Sequence, residues 1–464
     1  MVEPLDLLAV RRGSIVAPAG HGKTELIART AALGRRTLVL THTHAGVHAL
    51  RARLKKVGVA QRACVVDTIA GWAARYAGAF PAKGQPPKGL PDGAEWSQVY
   101  RGGKDVLSIS GVRKVVESSY DRILIDEYQD CDALQHELAI ALANILPTIV
   151  FGDPMQGIFE FTRSSVRWQT QVFPSFPLVA MLEEPMRWRG HNVELGLWIA
   201  KIRGQLERGE QIDLAAGPAT FMPCKDAYEM GALFDRFDER EGSVAAIHCR
   251  RGACDQLAKS SKGAYQSIEE IGARRLQQFA GEWDDANSPT AKVAALKSLL
   301  TDTTTIKKLE VGAADTEDDL ATGGRVRAAL TALGTSGSAA DAVIYIEEFR
   351  KHSRARAFRG ELLRDTARAL REVDAARFES VRDAATAVRQ RVSTSGRGTQ
   401  KRTVSTPLLL KGLEFDHVVI PDAAHFANET FAAAKLFYVA ISRAIKSLTI
   451  SSSSRYLTFP VPNT

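Results

Sequence analysis

Apolar residues in this chain fall first into short unbroken runs and later into helical stripes. Thr37–Leu40, Ala63–Val66, Arg122–Asp126 and Thr148–Gly152 are rich in Val, Ile and Leu with little alternation. That pattern predicts strands covered on both faces. A further apolar run, Ser14 to Val16, precedes them. Amphipathic stretches fit between the runs as helices, starting with Lys23 to Leu33. Strand and helix in this alternation predict a parallel sheet. Proline and glycine crowd the segment Phe80 to Gly93, a surface loop within an insertion running from Trp72 to Ser118.

A second α/β region starts near Leu178, with strands expected at Leu178–Leu182 and Ser243–Cys249. From Ala253 to Arg391 the texture becomes Ala-, Arg- and Glu-rich with helical spacing, which predicts a helical insertion. Ser393 to Thr403 is polar and basic and reads as a linker. His417–Pro421 and Ser447–Ser451 return to strand character. The expected plan is therefore a first domain over 1–175, a second split between 176–254 and 400–464, and a helical block over 255–399.

Length and charge narrow this little. A chain of 464 residues predicts two to four domains. The net charge of +8 suits a partner made of phosphates, although many basic proteins bind none. The five cysteines are scattered and form no Cys-x-x-Cys pair, so neither a disulfide framework nor a zinc site is suggested. No apolar run reaches the roughly 18 residues of a membrane span. No membrane partner and a cytoplasmic location are the default expectations.

The chemistry is concentrated at strand ends. Ala17-Pro18-Ala19-Gly20-His21-Gly22-Lys23-Thr24 follows the first strand. Small residues at Ala19, Gly20 and Gly22, with His21 between them, let backbone N–H groups curl around a polyphosphate. Lys23 would reach the outer phosphates and Thr24 would bind Mg²⁺. Ile123-Leu124-Ile125-Asp126-Glu127 brings two acids to a sheet edge. There Asp126 can hold Mg²⁺ and Glu127 can activate an attacking water. Gln156, after Phe151-Gly152-Asp153-Pro154-Met155, can bond a terminal phosphate or that water.

These motifs, in this order, resemble a UvrD/Rep-type superfamily 1 DNA helicase. Asp126-Glu127-Tyr128-Gln129-Asp130, Lys411-Gly412-Leu413-Glu414-Phe415-Asp416 and Phe437-Tyr438-Val439-Ala440-Ile441-Ser442-Arg443-Ala444 carry the resemblance most specifically. It implies two tandem RecA-like parallel-sheet domains of the P-loop NTPase class, with small and helical insertions. It implies ATP and Mg²⁺ as cofactors, Arg187 and Arg443 as arginine fingers, and Glu414 near the nucleotide. It implies a single-stranded DNA track touching Thr41, His42, Thr68, Trp72, Phe159, Phe161 and Thr406. For Phe159 and Phe161 the residues alone leave base stacking and core packing open. The implied function is ATP-driven 3′ to 5′ translocation on single-stranded DNA, with or without unwinding, in DNA repair or anti-phage defence. The alternative is an ATP-controlled subunit that switches a partner nuclease.

The sequence also departs from the family. Met1 to Arg12 contain no Gln to read adenine, Met186 replaces the adenine-stacking Tyr, and Pro407-Leu408-Leu409-Leu410 replaces a His-containing approach to Lys411. The trimmed insertions resemble the helicase-like subunit of Gabija-type anti-phage systems, which implies an OLD-family nuclease partner.

Overall fold

The computed structural model describes residues 2–60, 62–89, 91, 93–159, 165–268, 274–305, 317–352, 355–395 and 400–462. They divide into two compact units. The first comprises 1–223, 411–416 and 422–464, and the second 224–410 and 417–421. Residues 176–223 and most of the C-terminal segment thus pack with the first unit, not with a separate second domain as the expected boundaries had it.

In the first unit, six strands form one sheet: β1 (Arg12–Val16), β2 (Thr37–Thr41), β3 (Cys64–Thr68), β4 (Arg122–Ile125), β5 (Thr148–Gly152) and β6 (Leu178–Met181). All pairs are parallel, in the order β3-β2-β4-β5-β1-β6. The unbroken apolar runs have a direct cause. Leu38, Leu40, Ile123, Ile125 and Val150 face one core. Val39, Leu124, Ile149 and Phe151 face the other. With both faces dry, polar alternation has no place. Helices Lys23–Leu33 and His44–Val57 cover one side, and helices Ile69–Ala79, Glu95–Asp105 and Ala133–Ala143 the other. The order puts β5 between β1 and β4. The C-terminal ends of these three strands, which carry the phosphate loop, the two acids and Gln156, therefore share one edge. The same unit holds helices Val193–Arg208 and Ala433–Ile441 and a parallel pair, Thr220–Pro223 with Ala444–Ser452.

The second unit has its own parallel strands, ordered Gln266–Ser267, Arg402–Ser405, Val244–Ile247, Phe415–Ile420. Its helices from Arg274–Asp284 to Val381–Ser395 enclose a core that includes Phe279, Leu296, Leu333, Ile346 and Leu370. Parallel sheets flanked by helices make an α/β fold, as expected of tandem RecA-like domains. Arg402–Ser405, at the end of the segment expected to be a linker, is a strand, because Val404 and its neighbours are buried between two partners. No helix among the described residues is long and apolar enough to cross a membrane.

Candidate nucleotide and nucleic-acid site

The phosphate loop is held by its own backbone conformation and by three contacts. Gly20 and Gly22 have φ of 74° and 84°, a region that penalises any Cβ. Gly20 has a second constraint, since a Cβ there would lie 2.7 Å from the Trp188 ring. The Ala19 N–H donates to the Tyr438 hydroxyl at 2.9 Å. The Ala19 carbonyl lies 2.9 Å from His21 Nδ1. The Gly20 carbonyl accepts from the Arg187 N–H at 2.8 Å. Burial pushes the His21 pKa down, so its ring is neutral. Gly22 then caps helix Lys23–Leu33 with no side-chain partner. The first-turn N–H groups and the positive end of the helix dipole are therefore available to an anion.

Lys23 meets both acids that follow β4. Its ammonium is 2.7 Å from Asp126 Oδ1 and also pairs with Glu127. Glu127 has φ 56°, in the left-handed region, where a non-glycine residue persists only if its surroundings hold it. Burial pushes the Glu127 carboxyl up, but Lys23 and then Lys411 outweigh it and hold the pKa at about 2. Glu127 is thus a carboxylate at neutral pH.

From Glu127 a continuous hydrogen-bonded line runs across the sheet edge. Gln129 donates its amide to Glu127. The Asp153 N–H donates to Gln129 Oε1 at 3.1 Å. Gln156 Nε2 donates to Asp153 at 3.0 Å. Arg443 Nη2 reaches Gln156 Oε1 at 3.4 Å. Arg443 is buried and also donates to the carbonyls of Val439 and Leu413 and to the Ser442 hydroxyl. Arg187 donates to the Ser442 carbonyl at 2.5 Å and pairs with Glu414 at 2.7 Å. Its Nε is buried with no partner, a donor left over for a ligand.

Residues 104–177 match the UvrD/REP helicase N-terminal domain. Over that segment the chain is similar to the UvrD/REP helicase N-terminal domain. No curated protein matches it in sequence. Among solved structures it is similar to an arterivirus nonstructural protein 10 (helicase) in complex with DNA, at 10% identity and a TM-score of 0.34. That match covers 97% of this chain and 62% of the other, so the chain spans less than two thirds of that neighbour.

The residues expected along a DNA track separate into two groups. Trp72 is fully buried and stacks on Tyr76 at 4.2 Å. It belongs to the core beneath the insertion. Thr41 is 1% exposed, and the Thr68 hydroxyl caps helix Ile69–Ala79 by accepting the Gly71 N–H. His42 and Phe159 remain half-buried at the same sheet edge. Burial, then the Lys411 charge, pulls the His42 pKa to about 4, leaving a neutral ring beside Cys131. The Lys411 ammonium sits 5.2 Å from the Phe159 ring and also pairs with Asp130. Phe161 lies outside the described residues. Thr406 is half-buried in the second unit.

Among the described residues no three His, Cys, Asp or Glu side chains gather as a metal site. The Thr24 hydroxyl and Asp126 carboxylate fit the oxygen preference of magnesium, which fills its other positions with phosphate oxygens and water. Three participants escaped sequence reasoning as individual residues: Tyr438, Lys411 and Arg203. Arg203 had a signal. It falls on the face of helix Val193–Arg208 that carries Leu195, Ile199, Ile202 and Leu206, where a charge needs a buried partner. That partner is Asp153, 2.9 Å away.

Proposed function

We propose that the chain is an ATP-driven motor that hydrolyses ATP on single-stranded DNA and moves 3′ to 5′. The observation that carries this reading is the unbroken line from Lys23 through Glu127, Gln129, Asp153 and Gln156 to Arg443. Residues from sequence positions 23 to 443 converge on one sheet edge. Lys23 and the first-turn N–H groups bind the outer phosphates. Glu127, ionised and 33% exposed at its side chain, takes the proton of the attacking water. Gln156 orients that water, and Arg443 and Arg187 stabilise charge on the transferring phosphoryl oxygens. Magnesium on Thr24 and Asp126 supplies further charge neutralisation when bound.

DNA is read as the partner because His42 and Phe159 flank the catalytic line. Gln156 carries a second link: its carbonyl accepts from Lys411 at 2.7 Å, and Lys411 lies over Phe159. A strand stacked on Phe159 would press on the residue that orients water. Phe159→Ala should weaken single-strand affinity by about 1–3 kcal/mol in fluorescence anisotropy at fixed salt, with melting unchanged. A falling melting temperature with intact affinity would make Phe159 a packing residue. A role beside an OLD-type nuclease in anti-phage defence is proposed on the family resemblance alone.

The deciding experiment is steady-state ATP hydrolysis with and without a single-stranded oligonucleotide at low salt. Stimulation is expected. Folded protein that binds ATP and shows no stimulation would favour the alternative, an ATP-controlled subunit that switches a partner.

A further inference from the structure

The buried Tyr438 hydroxyl accepts the Ala19 N–H at 2.9 Å. The Asp153 carboxylate acts on it electrostatically, and with burial it keeps the hydroxyl protonated. Asp153 is itself fixed by Arg203, through an ion pair of 2.9 Å whose side chains are 5% and 1% exposed. The Arg203 guanidinium lies 6.0 Å from the Tyr438 ring. Tyr438 and Arg203 come from helices Ala433–Ile441 and Val193–Arg208, Ala19 from the phosphate loop and Asp153 from the end of β5.

A glycine-rich loop can turn a peptide over and aim a carbonyl where an N–H is needed. Here three successive peptides are held against that. The Pro18–Ala19 peptide is held through its N–H by Tyr438. The Ala19–Gly20 peptide is held through its carbonyl by His21, and the Gly20–His21 peptide through its carbonyl by the Arg187 N–H. The Tyr438 clip differs from the other two in depending on one hydroxyl that no packing force requires.

We propose that Tyr438 is a positioning residue for nucleotide binding: its hydroxyl, bonded to the Ala19 N–H beside the Arg203–Asp153 pair, locks the phosphate loop in its anion-accepting form. This rests on the reading of that loop as a triphosphate site. The clip also joins ATP affinity to the seating of helix Ala433–Ile441, which carries Tyr438 and ends just before Arg443. A loop that binds ATP well is therefore one that already has Arg443 in place.

Tyr438→Phe keeps the ring and its packing and removes the hydroxyl bond, leaving a buried Ala19 N–H unpaired. In the full chain the KM for ATP should rise about tenfold while kcat changes less than about twofold. Hydrogen exchange in the peptide spanning 17–24 should quicken by about the same factor, with other regions unchanged. An unchanged KM with unchanged exchange in that peptide overturns the proposal. So does a loss confined to kcat together with a lower melting temperature, which is what a purely structural tyrosine would give. A wild-type chain that neither binds nor hydrolyses ATP overturns the functional reading, and the proposal falls with it.

Discussion

Glu127→Gln should reduce ATP turnover by about 10²–10⁴-fold while leaving nucleotide binding close to wild type. The geometry separates the two effects. In the proposed function, binding belongs to the glycine loop, to Lys23 and to the start of helix Lys23–Leu33, none of which needs the Glu127 charge to hold its backbone in place. In that reading the proton goes to Glu127, whose carboxylate is kept ionised by Lys23 and Lys411 against the pull of burial. The amide cannot accept that proton. It can still receive a hydrogen bond from Gln129, so the line toward Asp153 survives the change. Lys23 also keeps Asp126 as a partner at 2.7 Å. Single-turnover hydrolysis and equilibrium ATP binding, measured on the same preparation, read the two separately. Wild-type turnover in Glu127→Gln would remove Glu127 from the chemistry. Lost binding with lost turnover would mean the Lys23 ion pair shapes the loop instead.

What the sequence made legible was local. The phosphate loop, the acids after β4 and Gln156 after β5 each follow an apolar run, and a run covered on both faces marks its own strand. Strand ends in a parallel sheet share an edge, so these groups could be placed together before any contact was known. The short strands Thr220–Pro223 and Gln266–Ser267 offered no such run, since their pairing is supplied by neighbours distant in sequence. Trp72, whose burial the sequence did not announce, shows a related ambiguity. An aromatic residue in a DNA-contact motif and one in a core look alike along the chain, and the Tyr76 one turn later, on which it stacks, was the cue for the core. The pairs Tyr438 with Ala19, Lys411 with Asp130, and Arg203 with Asp153 span 419, 281 and 50 residues. Nothing periodic announces contacts of that kind. A charge on an apolar helix face, as at Arg203, shows that a partner exists without saying which.

Arg443→Lys and Arg443→Ala should each reduce turnover by about 10³–10⁵-fold, the range for a lost arginine finger. The electrostatics give the reason. Burial, and next the charge of Arg187, push the Arg443 pKa down to about 10. The group is still charged at neutral pH, yet its hydrogen-bond partners are the neutral oxygens of Val439, Leu413, Gln156 and Ser442. A buried cation held by neutral oxygens carries an unpaid desolvation penalty, and an anion that enters beside it relieves that penalty. A triphosphate is such an anion, and the relief grows as charge accumulates on the transferring oxygens. Lysine keeps the charge but not the planar fork that reaches Gln156 while bonding two carbonyls. Alanine removes both, taking the Arg443 bond from the Leu413 carbonyl and leaving Val439 only the Ser442 hydroxyl, so it should lower the melting temperature where lysine lowers it less. The comparison therefore divides catalysis from folding. Lysine that folds and fails to turn over supports the arginine finger. Lysine that turns over like the wild type would show that Arg443 only ties its helix to Gln156.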